Sequence, residues 1–122
     1  MKKIVFIVDD NDANLVTASS ALENEYKVLT MPSAQKMFSL LEKIRADLIL
    51  LDIEMPEMTG FEAVTKLKEN TEWKDIPVIF LTGGQDEKPP SGVGQTGALD
   101  IVNKPVDAAA LADCVKKHIN LP

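Results

Sequence analysis

Five polar side chains stand at corresponding places along this chain, each after a short apolar run. Asp9 and Asp10 follow Ile4 to Val8, Asp52 follows Leu48 to Leu51, Thr82 follows Pro77 to Leu81, and Lys104 comes just past Leu99 to Val102. Three carboxylates, a hydroxyl and an ammonium group suit the handling of a phosphoryl group. Crowded carboxylates repel one another unless a cation lies among them, and an all-oxygen site open to water with a phosphate-bearing substrate is what magnesium prefers. Phosphoryl transfer asks a protein mainly for positioning and for neutralisation of charge on the equatorial oxygens. The expectation is a Mg2+-dependent reaction in which the Asp52 carboxylate attacks phosphorus and becomes an acyl phosphate. Asp10 is then a direct metal ligand, Asp52 shares the ion, and the backbone carbonyl of Glu54 completes the coordination. Asp9 holds a metal-bound water or orients its neighbour. Thr82 and Lys104 face the transferred group. The Glu54 side chain either steers water onto the acyl phosphate or lies in solvent.

These groups meet only if the apolar runs before them lie side by side. Ile4 to Val8 and Leu48 to Leu51 are continuous and rich in branched residues, which suits strands covered on both faces. Lys27 to Thr30, Pro77 to Leu81 and Leu99 to Val102 read as three further strands. Between them, apolar residues recur at three and four positions. Leu15, Ala18 and Leu22 follow a cap at Asn11 or Asp12, while Ala34, Met37, Phe38, Leu41 and Ile44 follow a cap at Ser33. Phe61, Val64 and Leu67 follow the loop that Met55-Pro56 and Thr59-Gly60 impose, and Leu111, Val115 and Ile119 mark a final helix. Strict alternation predicts an α/β fold. It is a flavodoxin-like, doubly wound, five-stranded parallel sheet of order 2-1-3-4-5 with helices on both faces. Ligands then bind outside the carboxyl ends of the strands, where the five polar groups converge. One helix fits badly. Between Asp86 and Thr96, Pro89-Pro90, Gly92 and Gly94 oppose a regular helix, since interior proline costs about 3 kcal/mol, so this fourth helix is expected to be short or irregular.

At 122 residues the chain has the size of one domain, and residues 1–122 are expected to form a single unit with its own core. The formal net charge of -6, without a basic cluster, argues against nucleic-acid binding. No apolar run approaches membrane-spanning length, and the apolar run after Lys2-Lys3 stops at Asp9, too early for a signal peptide. Cys114 is the single cysteine, so no intrachain disulfide forms, and a cytoplasmic setting follows. Cys114 reads as a small apolar residue beside the buried face of the last helix, with no metal-ligand partner at helical spacing. His118 reads as a residue favouring the dipole at that helix's C-terminus. Trp73 is expected to pack in the connection before the fourth strand.

The fragments Val8-Asp9-Asp10-Asn11, Leu51-Asp52-Ile53-Glu54-Met55-Pro56, Thr59-Gly60, Leu81-Thr82 and Gly97-Ala98-Leu99-Asp100, leading to Lys104-Pro105, resemble the response-regulator receiver family of two-component signalling, including its chemotaxis regulators. The resemblance covers essentially the whole chain. It implies Asp52 as phosphoacceptor, a sensor histidine kinase or phosphotransfer protein as donor, and a downstream protein as target. It also implies a hydrogen bond from Thr82 to the phosphoryl group, a salt bridge from Lys104, and a cis Lys104-Pro105 bond. Such a chain is not an enzyme beyond catalysing its own phosphorylation and dephosphorylation. Many receivers place an aromatic residue where this chain has Ile101, so the usual rotamer switch is absent. With Gly83-Gly84 beside Thr82, residues 83 to 96 are expected to become ordered when the phosphoryl group is engaged. The alternative is a degenerate receiver that docks a protein without a phosphorylation cycle. A phosphohydrolase of the haloacid dehalogenase type would need an Asp-x-Asp motif after the first strand and a substrate cap, and this chain shows neither.

Overall fold

The computed structural model describes residues 2–55, 57–83, 98–104 and 106–119. The apolar runs form parallel strands β1 (Ile4–Val8), β2 (Lys27–Met31), β3 (Leu48–Asp52), β4 (Val78–Thr82) and β5 (Asp100–Asn103), in spatial order β2-β1-β3-β4-β5. Burial follows that order. Every residue of β3 and β4 is buried, whereas β2 and β5, at the sheet edges, carry polar and partly exposed positions. Continuous apolar sequence is what a strand covered on both faces requires.

Helices α1 (Asp12–Leu22), α2 (Ala34–Leu41), α3 (Gly60–Glu69) and α4 (Ala108–Ile119) cover the sheet. Alternation along the strands splits the core in two. Phe6, Val8, Ile49, Leu51, Val78 and Phe80 face α2 and α3, packing with Met37, Leu41, Val64 and Leu67. Val5, Ile7, Leu48, Leu50, Ile79 and Leu81 face α1 and α4, packing with Leu15, Leu22, Leu111 and Val115. Each fully buried Leu, Ile or Phe contributes roughly 1.5–3 kcal/mol, so these two layers dominate the stability of the unit. Phe61 meets Phe80 edge to face, and Trp73, in the turn after α3, packs on Phe38 as expected of that connection.

The helix starts are fixed by side chains. Asn11, rather than Asp12, caps α1, accepting from the amides of Ala13 and Asn14 at 2.9 and 3.2 Å. Ser33 caps α2, and Thr59 with Glu62 forms a reciprocal capping box on α3. Element ends differ slightly from the periodic reading. The expected fourth strand began at Pro77, but proline has no N–H to pair, and β4 starts at Val78. The expected fifth strand began at Leu99, which lies 46% exposed before β5. Ile44 lies beyond the end of α2 in a turn, its amide bonded to the Leu40 carbonyl, and still packs on the core. The short or irregular helix expected between Asp86 and Thr96, the ordering expected of residues 83 to 96, and the Lys104-Pro105 peptide bond lie outside the described residues.

Candidate functional site

The strand order puts β1 and β3 at the centre, and the chain leaves β1 toward α1 on one face and β3 toward α3 on the other. Their carboxyl ends therefore border a crevice with a carboxylate on each side. Asp9 directly follows β1. Its amide bonds the Met31 carbonyl of β2 at 3.2 Å, and its Oδ1 accepts the Asn11 amide at 2.9 Å, which fixes the side chain at the start of α1. Asp10 is exposed at the rim. Asp52 is the last residue of β3, paired in register with Leu81, and its Oδ1 accepts the Glu54 amide at 3.3 Å. Asp9 is fully buried, and Asp52 and Thr82 are nearly so.

Lys104 closes the arrangement from β5. Its Nζ lies 2.8 Å from Asp9 Oδ2 and 3.1 Å from Asp52 Oδ1. The lysine is placed by its own backbone, because its amide donates to the Thr82 carbonyl at 2.7 Å. Thr82 ends β4 and pairs with Asn103, so the hydroxyl-bearing residue and the ammonium-bearing residue are mechanically joined at the same edge. Asp9, Asp10, Asn11, Asn14, Asp52, Glu54, Gly83 and Lys104 line a cavity of about 360 Å³ over these groups. Asp9, Asp10, Asp52 and Lys104 are thus brought together, Glu54 is exposed on the cavity wall, and Thr82 stands one residue beyond the level of Asp52 on the neighbouring strand.

Burial, reinforced by the negative charge of Asp9, pushes the Asp52 carboxyl up to about 7, although Lys104 and the Glu54 amide pull the other way. Burial alone would lower the Lys104 ammonium, but its bonds to Asp9 and Asp52 outweigh that and hold it above its ordinary value. An oxygen-only donor set is present for a hard cation. Carboxylate oxygens of Asp9, Asp10 and Asp52 lie within 4.8 Å of one another. Asp9 Oδ2 is buried, with the Lys104 ammonium as its ion-pair partner at 2.8 Å. Divalent magnesium fits these residues.

Two features escaped the sequence reading. Gly60, at the start of α3, presses on the backbone that leaves β3. A Cβ there would stand 2.7 Å from the Asp52 carbonyl oxygen and 2.9 Å from Ile53 Cα. The Thr59-Gly60 pair signalled a loop, but only the packing shows that the glycine is needed for closeness to the acceptor. The second feature corrects the reading of Cys114 and adds to that of His118. Cys114 does have a partner at helical spacing. Its Sγ lies 3.5 Å from Asp100 Oδ2, and His118, one turn on, contacts the same oxygen through Nε2 at 3.0 Å. His118 lies in the last turn of the helix, as expected, and is buried at 8% exposure.

The response regulator receiver domain model matches residues 5–116. The chain belongs to that family. It is 36% identical over 115 residues, 94% of its length, to a probable cyclic di-GMP phosphodiesterase of Vibrio cholerae, of which it spans 26%. It is 29% identical over 120 residues to the polar-differentiation response regulator DivK of Brucella anthropi, covering 98% of each chain. The receiver domain of a sensor histidine kinase from Pseudomonas aeruginosa, solved with magnesium in its active-site cleft, superposes with a TM-score of 0.88 over 99% of this chain and all of that one, at 23% identity. Among the described residues no helix is long and apolar enough to cross a membrane.

Proposed function

We propose that this receiver domain takes a phosphoryl group onto Asp52 in a Mg2+-dependent reaction and signals through the rearrangement that follows. The observation that carries this reading is the Lys104 ammonium held between Asp9 Oδ2 and Asp52 Oδ1 at the mouth of the crevice. Asp9, Asp10, Asp52 and the Glu54 carbonyl would hold Mg2+, which when bound neutralises charge on the carboxylates and on the incoming phosphoryl oxygens. The donor set and the magnesium in the Pseudomonas receiver support that choice.

Asp52 attacks phosphorus as the carboxylate. The phosphorus–donor bond breaks as the new O–P bond forms, and the electron pair leaves with the donor. Lys104 orients the attacking oxygen beforehand and pairs with the added negative charge afterwards. Thr82 donates its hydroxyl to a phosphoryl oxygen, and its carbonyl link to the Lys104 amide carries the movement to the start of the β5–α4 connection. Ile101, partly buried and packed on the α2–α3 side of the core, offers no aromatic side chain to report the change, so output runs through backbone and lysine. The donor is a sensor histidine kinase or phosphotransfer protein, the target is a protein, residues 1–122 act as one receiver unit, and the setting is cytoplasmic. The phosphodiesterase named for the Vibrio relative is a property of that longer protein.

Intact mass measured after incubation with acetyl phosphate and Mg2+ tests this directly. A gain of one phosphoryl group is expected, absent in Asp52→Asn and after chelation. No gain from acetyl phosphate or from a histidine kinase mixture would instead support a docking module without a phosphorylation cycle.

A further inference from the structure

At the opposite end of β5 from Lys104, a second set of ligating groups converges. Asp100 opens β5, while Cys114 and His118 lie one turn apart on α4, on the side of the helix that covers the strand. Nε2 of His118 is 3.0 Å and Sγ of Cys114 is 3.5 Å from Asp100 Oδ2, and one donor atom from each residue lies within 4.8 Å of the others. We propose that Asp100, Cys114 and His118 form a binding site for a thiophilic divalent transition ion, zinc being the best match, that clips α4 to the edge strand.

The spacing suits such an ion. Tetrahedral zinc takes sulfur at about 2.3 Å and nitrogen or oxygen at about 2.0–2.2 Å, which sets its donors roughly 3.3–3.6 Å apart. The observed separations need only small side-chain rotations to reach this. The donor chemistry differs from that of the acidic crevice, because a thiol and an imidazole select zinc-like ions over magnesium. His118 is 8% exposed, so its ring is already held in place, with the Nε2 proton donated to Asp100 Oδ2 and Nδ1 without a hydrogen-bond partner. On loading, the ring proton moves from Nε2 to Nδ1 by exchange with solvent, the neutral imidazole binds through Nε2, and the Cys114 thiol releases its proton to solvent. A thiolate, a carboxylate and a neutral imidazole then balance the charge of a dication. Three protein ligands leave a fourth position for water or for a donor from another molecule. Burial and the Asp100 charge push the Cys114 thiol up to about 11, so without a cation the group stays protonated near neutral pH and the cluster rests as a hydrogen-bonded triad. A thiolate signal at that pH therefore reports the ion.

Cobalt(II), titrated into the reduced full chain in excess Mg2+, is the probe, since Mg2+ occupies the acidic crevice and competes poorly for sulfur. The expected result is thiolate-to-cobalt charge-transfer absorption that saturates at one equivalent and disappears when zinc is added. Cys114→Ser abolishes it, and His118→Asn or Asp100→Asn raises the half-saturation at least about tenfold. Should His118→Asn fail to fold, Asp100→Asn, at a partly exposed position, reads the same ligation. No charge-transfer absorption from a wild-type chain whose circular dichroism shows it folded overturns the proposal. So does absorption that keeps its half-saturation in Asp100→Asn.

Discussion

Asp52 and Lys104 form a pair in which each side chain sets the other's charge. Burial raises the Asp52 carboxyl to about 7, well above its ordinary 3.8, while the ammonium 3.1 Å away limits the rise. A carboxyl whose folded value lies above its unfolded value favours the folded state while protonated. That stability is fully present below about 3.8 and is lost as pH rises through about 7. In buffer free of divalent ions, Asp52→Asn removes the dependence. Its stability relative to wild type is expected to climb between pH 4 and 8, reaching an advantage on the order of 2 kcal/mol. Urea midpoints for both proteins at pH 4.5 and pH 8 measure it, and a constant difference between the two would show that Asp52 ionises as easily folded as unfolded. The residue types at this site were legible because each stands directly after an apolar run. The ion pair of Lys104 with the fully buried Asp9 was not, since the sequence showed only that the two would share an edge. The reading of His118 in the last turn of its helix holds, but its contact was not foreseen, for a related reason. Its place on the buried face was legible, since it stands three residues after Val115 and seven after Leu111, but its bond to Asp100 depends on β5 passing beneath α4.

At the scale of elements, α3 meets the phosphoacceptor strand through Gly60. The Gly60 amide donates to the Ile53 carbonyl at 2.7 Å, and the missing side chain lets the first turn of the helix lie against the Asp52 carbonyl. Gly60→Ala must push the helix start away from backbone that cannot yield, at a cost of about 1–3 kcal/mol. Thermal melting measures the loss. A variant as stable as wild type would mean that the contact relaxes freely. The strands and helices themselves were legible in the alternation of apolar runs and three-four spacings, down to the Ser33 cap. Their ends were legible only to within one to three residues. Pairing decides where a strand begins, as at Pro77, which lacks an N–H, and the limit is soft at Leu99, whose amide still bonds the Val78 carbonyl just before β5.

For the whole molecule, the order β2-β1-β3-β4-β5 turns five separated polar residues into one edge. The two core layers hold the strands, and the helix starts after β1 and β3 hold Asp9 and Asp52 in place. Asp100, Cys114 and His118 lie at the far end of β5 from Lys104, so the two candidate ion sites share no ligand. A parallel sheet covered on both faces was predictable because continuous apolar strands demand that cover and parallel connections need crossover helices, although these rules admit more than one strand order. Everything proposed for the crevice depends on the phosphoryl group reaching Asp52 rather than its acidic neighbours. Borohydride reduction of the phosphorylated chain, followed by peptide mass mapping, converts an aspartyl phosphate into homoserine and so marks the acceptor. The prediction is homoserine at position 52 and unchanged aspartate at positions 9 and 10. Unmodified Asp52 in a chain that has gained a phosphoryl group would contradict it.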